Sequence, residues 1–111
     1  MNLARFDLVS VHMAVLCAEL GSLSAAARRV HCSLSTASYR LASLEQSVGT
    51  QLFSRDQRGL QTTRTGELFV RHAKSILDHV DLTHRLVRAA EEANQRESAN
   101  CCAASNGVIE E

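Results

Sequence analysis

GSLSAAARRVHCSLSTASYRLASLE, residues 21–45, reads as two short helices joined by a tight polar turn. Ser22 or Ser24 can cap the first of these helices, which runs to about Val30 and buries Ala26, Ala27 and Val30. Small side chains at a helix crossing let two backbones approach closely, so the alanines favour a tight pair. Arg28 and Arg29 are left facing outward. His31, Cys32 and Ser33 form the turn, with Ser33 placed to cap the next helix. Inside that helix Ala37, Leu41, Leu44 and Val48 recur at helical spacing, and Gly49 ends it. Its opposite face displays Ser35, Thr36, Ser38, Tyr39, Arg40 and Ser43. Most of these are poor helix formers, so propensity is given up for exposed hydrogen-bonding groups. A solvated face would tolerate that composition; a helix lying in the major groove of DNA would require it. Two close helices with such a second member form a helix-turn-helix.

The flanking sequence supplies a support on either side. Residues 7–20 form an earlier helix with Asp7 as cap, Val11, Ala14, Val15 and Ala18 as an inward stripe, and Leu8, Leu16 and Leu20 widening it. Gly21 stops it. Downstream, Leu52-Phe53 is an apolar anchor, residues 54–59 a polar strand and turn, and residues 60–63 an alternating, returning strand. A two-stranded β-wing is the economical interpretation, with Arg55, Arg58 and Arg64 riding on it within reach of phosphates. Thr63 caps a last helix running from about Arg64 to Arg96. Along it Phe69, Ala73, Ile76, Val80, Thr83, Val87, Ala90 and Asn94 alternate spacings of four and three, the form of a heptad seam. Leu68, Leu77, Leu82 and Leu86 fall outside the seam and are available to the front of the chain or to a broader contact. A rod of roughly 45 Å exceeds what a small headpiece covers, so its surplus apolar surface implies a partner helix. Residues 97–111 are small and polar without pattern and read as a flexible tail.

Composition agrees with a small helical protein. The chain has 111 residues, 45% of them hydrophobic, no Pro, no Trp and five Gly, so Ala, Leu and Val must build the core and long helices are permitted. Net charge is zero but unevenly spread. Residues 1–66 hold seven Arg against four Asp and Glu, and residues 67–111 hold five Lys and Arg against eight acids. A basic front on an acidic rear suits one DNA-facing surface. Cys17, Cys32, Cys101 and Cys102 lack metal-ligand spacing; the first two read as small core hydrophobes, and Cys101-Cys102 as part of an inert tail. No signal peptide or membrane span is visible, and a reducing cytoplasm, near the nucleoid, is the expected compartment. His12, His31, His72, His79 and His84 include no i, i+4 pair, and no nucleophile–base arrangement is recognisable. No enzyme, metal site or cofactor is therefore expected. His72 and His79 read as exposed residues flanking the seam.

The arrangement resembles the N-terminal DNA-binding region of LysR-type transcriptional regulators. The residues that carry the likeness are Gly21-Ser22, Ala26-Ala27, His31, Ser33, Ser38, Leu44-Glu45, Gly49, Gln51-Leu52-Phe53, Arg55 and Thr63-x-x-Gly66. Leu44-Glu45-x-x-x-Gly49-x-x-Leu52-Phe53-x-Arg55 is the most specific part. The resemblance implies a mainly α fold: a winged helix-turn-helix over residues 1–63, three helices plus a two-stranded wing, followed by a dimerisation linker helix over residues 64–96. It implies that the third helix enters the major groove, that the wing meets backbone or minor groove, and that the operator is an interrupted inverted repeat. Ser33 and Ser38 match family positions near DNA, and Arg55 the wing arginine that meets phosphate. The sequence departs from the family at Leu34-Ser35, where Gln-Pro is usual, and at Tyr39, where Arg is usual. It also departs at Ala14 and Leu23, where Phe is common. Operator sequence therefore does not transfer from relatives.

The site expected from these readings comprises Ser33, Ser35, Thr36, Ser38, Tyr39, Arg40, Arg55, Arg58 and Arg64 for double-stranded DNA. Phe69, Ala73, Ile76, Val80, Val87 and Ala90 are expected to hold a homodimer, or a higher oligomer. Nothing after residue 97 has the strand–helix alternation of a ligand-binding domain, so no small-molecule effector and no membrane contact are expected of this chain. The weakened reading face leaves an alternative, an interaction module that pairs with a full-length regulator in a mixed dimer and modulates it without strong DNA binding.

Overall fold

A computed structural model describes residues 5–101, with side chains through residue 97. The chain divides into two units, one running through Leu77 and the other beginning at Asp78. In the first unit three helices are followed by a hairpin and the start of a fourth helix. They are α1 (Leu8–Leu20), α2 (Leu23–Arg29), α3 (Leu34–Val48), β1 (Phe53–Asp56), β2 (Gly59–Thr62) and α4 (Arg64–Cys101).

Local chemistry sets nearly every boundary. Asp7 accepts the Ser10 amide at 2.8 Å and opens α1, and Gly21 closes it at φ 67° with its own amide on the Cys17 carbonyl. Ser22, rather than Ser24, caps α2 by accepting the Ala25 amide at 3.1 Å. Ser33 caps α3, which ends at Gly49 with φ 82°. These side chains and left-handed residues satisfy backbone groups that a helix end leaves open.

The core is small and alanine-rich, as a tight bundle requires. Val11, Met13, Ala14, Val15, Leu16 and Cys17 of α1 meet Leu23, Ala26 and Ala27 of α2 and Ala37, Leu41 and Leu44 of α3. Leu52, Phe53, Leu60, Val70 and Ala73 close the far side. The expected stripe on α1 needs one correction. Of the three leucines that helical spacing adds to it, only Leu16 is buried, whereas Leu8 and Leu20 are exposed. Cys17 and Met13 occupy that volume instead, so α1 is covered on most of its circumference. Burial pushes the Cys17 thiol up to about 11, which keeps it neutral and inert.

The hairpin pairs β1 with β2 antiparallel, Phe53 opposite Thr62 and Asp56 opposite Gly59. Gly59 has φ 106°, and a Cβ there would come within 3.0 Å of the Gly21 carbonyl oxygen. The Leu60 amide donates to that same oxygen at 3.3 Å, which ties the wing to the end of α1.

The sequence places the last helix at residues 64–96, and α4 continues to Cys101, because no Gly or Pro interrupts it. The rest of the expected tail, residues 102–111 with Cys102, lies outside the described residues. The first turns of α4, to Leu77, belong to the first unit. There Val70 and Ala73 are buried, and Phe69 sets its ring edge-on to Phe6 at 6.0 Å between centroids. Ala73 is 1% exposed and is thus committed to the chain's own core, not to a mate, which corrects its place in the expected seam. The heptad rule reports an apolar face without saying what covers it. From Asp78 on, Val80, Leu82, Leu86 and Val87 are exposed, and His79, Val80, Thr83, Leu86, Val87 and Ala90 share about a third of the helix circumference. Asp78, Asp81, Arg85, Arg88 and Glu92 lie on the other side. No described helix is long and apolar enough to cross a membrane.

Candidate nucleic-acid interface

Capping and packing decide which side chains α3 offers to the outside. Its core face is Ala37, Leu41 and Leu44, with Val48 half-buried against the same cluster. The exposed residues are therefore Leu34, Ser35, Thr36, Ser38, Tyr39, Ala42 and Gln46, and Tyr39 is 73% exposed. At the helix start three hydroxyls join. Ser33 Oγ accepts the Thr36 amide at 3.1 Å and donates to Thr36 Oγ1 at 2.9 Å, with Ser35 Oγ 3.2 Å away. Since Ser33 has one hydroxyl proton, and it goes to Thr36, the Ser35 hydroxyl is the donor in the last contact. The chain of donors runs from Ser35 through Ser33 to Thr36, whose own proton is free for an outside acceptor. The positive end of the α3 dipole lies beneath this cluster, so an anion is favoured there.

Arg40 departs from expectation. It lies on the flank of α3 nearer α1, half-buried, with Nη1 3.3 Å from Asp7 Oδ2. Asp7 thereby caps α1 with one oxygen and holds α3 with the other. The Ser10 amide, then the Arg40 guanidinium, hold its carboxyl below the ordinary 3.8 against the opposing effect of burial. The arginine expected to read base edges is engaged within the chain. Arg5 makes a parallel link, donating to Gln46 Oε1 at 3.0 Å.

The wing arginines are different. Arg55 on β1, Arg58 in the turn and Arg64 at the start of α4 are all exposed. Asp56 Oδ1 accepts the Arg58 amide at 2.8 Å and fixes the turn, leaving the guanidinium outward. Arg64 occupies the first position of a helix, where a cation opposes the helix dipole, so local stability does not explain it. Glu67 in the same turn offsets part of that cost.

Glu45 and Gly66, whose roles are not legible from the motif alone, hold the site together. Glu45 Oε2 accepts the Leu52 amide at 2.8 Å and the Phe53 amide at 3.1 Å, so the last turn of α3 grips the start of β1. Gly66 is fully enclosed, and a Cβ there would collide with the Leu52 carbonyl oxygen. Thr63 completes the corner. Its hydroxyl donates to the Gln51 carbonyl at 2.8 Å and accepts the Gly66 amide at 3.0 Å. The spacing Leu44-Glu45 to Leu52-Phe53 to Thr63-x-x-Gly66 is thus one corner joining recognition helix, wing and last helix.

Comparison with known proteins agrees with this geometry. The family model described as bacterial regulatory helix-turn-helix protein, lysR family, matches residues 8–67. An uncharacterized HTH-type transcriptional regulator of Escherichia coli (strain K12), YdcI, is 36% identical over 90 residues, covering 81% of this chain and 29% of that protein. The HTH-type transcriptional regulator ClcR of Pseudomonas putida is 37% identical over 73 residues, 66% of this chain and 25% of its own length. The chain spans less than a third of these relatives. Among solved structures, the CbnR DNA-binding domain in complex with DNA superposes with a TM-score of 0.71 at 29% identity, covering 77% of this chain and 98% of that one. The BenM DNA-binding domain bound to catB site 1 DNA gives 0.72 at 26% identity, covering 75% and 92%. Helix-turn-helix, wing and the corner built on Glu45 and Gly66 therefore have one reading: this chain belongs to the LysR family of bacterial regulatory helix-turn-helix proteins and carries that family's DNA-binding domain.

Proposed function

We propose that the protein is a sequence-selective, dimeric transcriptional regulator that binds an interrupted inverted repeat, in the cytoplasm with the nucleoid. The first half of α3 lies in the major groove. Ser35, Thr36 and Tyr39 meet base edges, Ser33 and Ser38 sit near the backbone, and Arg55, Arg58 and Arg64 meet phosphates. Arg40 reaches the nucleic acid only by exchanging its carboxylate partner. The observation that carries this reading is the exposed, hydroxyl-bearing start of α3 above a helix N-terminus, flanked by exposed wing arginines.

Two copies associate through Ile76, Val80, Val87 and Ala90, with Leu82 and Leu86 broadening the contact; Phe69 contributes the side not taken by Phe6. An exposed apolar face on an otherwise charged helix supports this pairing. Residues 1–63 then act as reader and residues 64–96 as linker. The test is selection of bound duplexes from genomic fragments, followed by titration at rising salt. Three arginines per copy predict a log–log salt slope of about −5 for a dimer. Binding that prefers no duplex over random sequence at moderate salt refutes the reading.

The second reading, pairing with a full-length regulator in a mixed dimer, is favoured by the engagement of Arg40 with Asp7, which leaves α3 with no free cation. Light scattering with and without selected DNA separates the two. A stable dimer indifferent to every duplex supports the interaction module.

A further inference from the structure

The fully exposed side chains of α3 itself are all uncharged, although the helix belongs to a DNA-binding domain. The helix carries one cation, Arg40, paired with Asp7, and one anion, Glu45, which holds the Leu52 and Phe53 amides. Guanine is read most often by a free Arg or Lys, and cytosine by a free carboxylate. On this helix both are engaged by partners within the chain. What α3 offers instead, at its first helical position, is a leucine. Leu34 is 52% exposed and takes no part in the hydrophobic cluster of the headpiece. Its neighbours Ser33, Ser35 and Thr36 bond to one another, so the leucine borders a small hydroxyl network beside the helix N-terminus. A single exposed leucine is ordinary on a protein surface. Here it stands on the segment assigned to the groove, where the apolar group that DNA presents is the thymine 5-methyl.

We propose that Leu34 is a specificity-determining residue that packs on a thymine 5-methyl group, so that base choice under the first turn of α3 rests on methyl contact and not on charge. This inference rests on the DNA-reading function proposed above. Tyr39 and Ala42, also exposed on α3, extend an uncharged surface along the helix. Ser35 and Thr36 supply adjustable hydroxyls that accept either partner at neighbouring bases. Each half-site should therefore hold one A·T pair whose thymine lies under Leu34.

The experiment uses the full chain and a randomised duplex pool. Selected duplexes are resynthesised with deoxyuridine replacing each dT in turn, which removes only the methyl group. Burial of one methyl corresponds to about fourfold in affinity, so one dU position per half-site should weaken wild-type binding by about that factor. Leu34→Ala should bind the dT and dU duplexes equally, and Leu34→Gln should enrich a different base at that position. Because Leu34 is exposed, both variants should keep the wild-type thermal melt, which shows that the effect is on recognition. An enriched duplex whose every dU replacement is neutral, or a Leu34→Ala protein that keeps the uracil penalty, overturns this inference alone. A pool that yields no enriched duplex overturns it together with the DNA-reading function.

Discussion

The two units of this chain use the same residue types to opposite ends. Through Leu77, most apolar side chains near the helix crossings are consumed internally: Ala26, Ala37, Leu44 and Ala73 leave almost no surface, while Leu8, Leu20 and Leu34 stay exposed, and the hydroxyls of Ser33 and Thr63 are tied into a cap and a corner. From Asp78 on, Val80, Leu82, Leu86 and Val87 remain open to solvent on a helix whose other side is charged. One heptad seam runs through both, yet only Ala73 of it is buried. Periodicity measures that a face is apolar; it does not tell whether that face is already covered.

The sharpest break of this contrast is a matched pair of substitutions. Ala73→Glu places an unpaired carboxylate in a filled core and should cost more than about 4 kcal/mol, enough to unfold the headpiece. Val87→Glu should leave the headpiece melt unchanged and abolish only self-association. Circular dichroism and light scattering on both variants check this, and equal melting temperatures would erase the distinction. Next in size is Gly66→Ala, where the added methyl meets backbone that cannot yield. A loss above about 3 kcal/mol is expected in a denaturant titration.

Glu45→Ala should cost about 1–3 kcal/mol by leaving the Leu52 and Phe53 amides without an acceptor. Its readout is a lower unfolding midpoint with helical content retained. The smallest effect is electrostatic. Asp7 has a lowered folded-state pKa, so its contribution is present above its ordinary value of 3.8 and is lost as pH falls below that value. Acid titration of Asp7→Asn should lack that component while the wild type shows it. Identical acid profiles would mean that the Arg40 and Ser10 contacts carry no net stability.

These residues also mark what the sequence disclosed. Caps are local, so Asp7, Ser33, Gly21 and Gly49 could be placed from neighbours alone, and the hairpin followed from alternation around Gly59. The exposed hydroxyl face of α3 was legible because Ala37, Leu41 and Leu44 fixed the inner face. Long-range pairings were not. Arg40 and Asp7 lie 33 residues apart, and no local rule announces that α1's cap will take the arginine from α3. Leu8 and Leu20 satisfied a helical stripe, but Cys17 and Met13 are among the residues that α1 buries completely. Glu45 and Gly66 were visible as a motif, while their role appears only when the chain turns back on Leu52.

The grip of Glu45 on two consecutive amides has a consequence for how the molecule breathes. The Leu52 and Phe53 N–H groups can exchange with deuterium only when the carboxylate lets go, so both should exchange together, at a rate set by one opening event. Two adjacent amides thus serve as a built-in gauge of whether helix and wing separate while the rest of the headpiece stays shut.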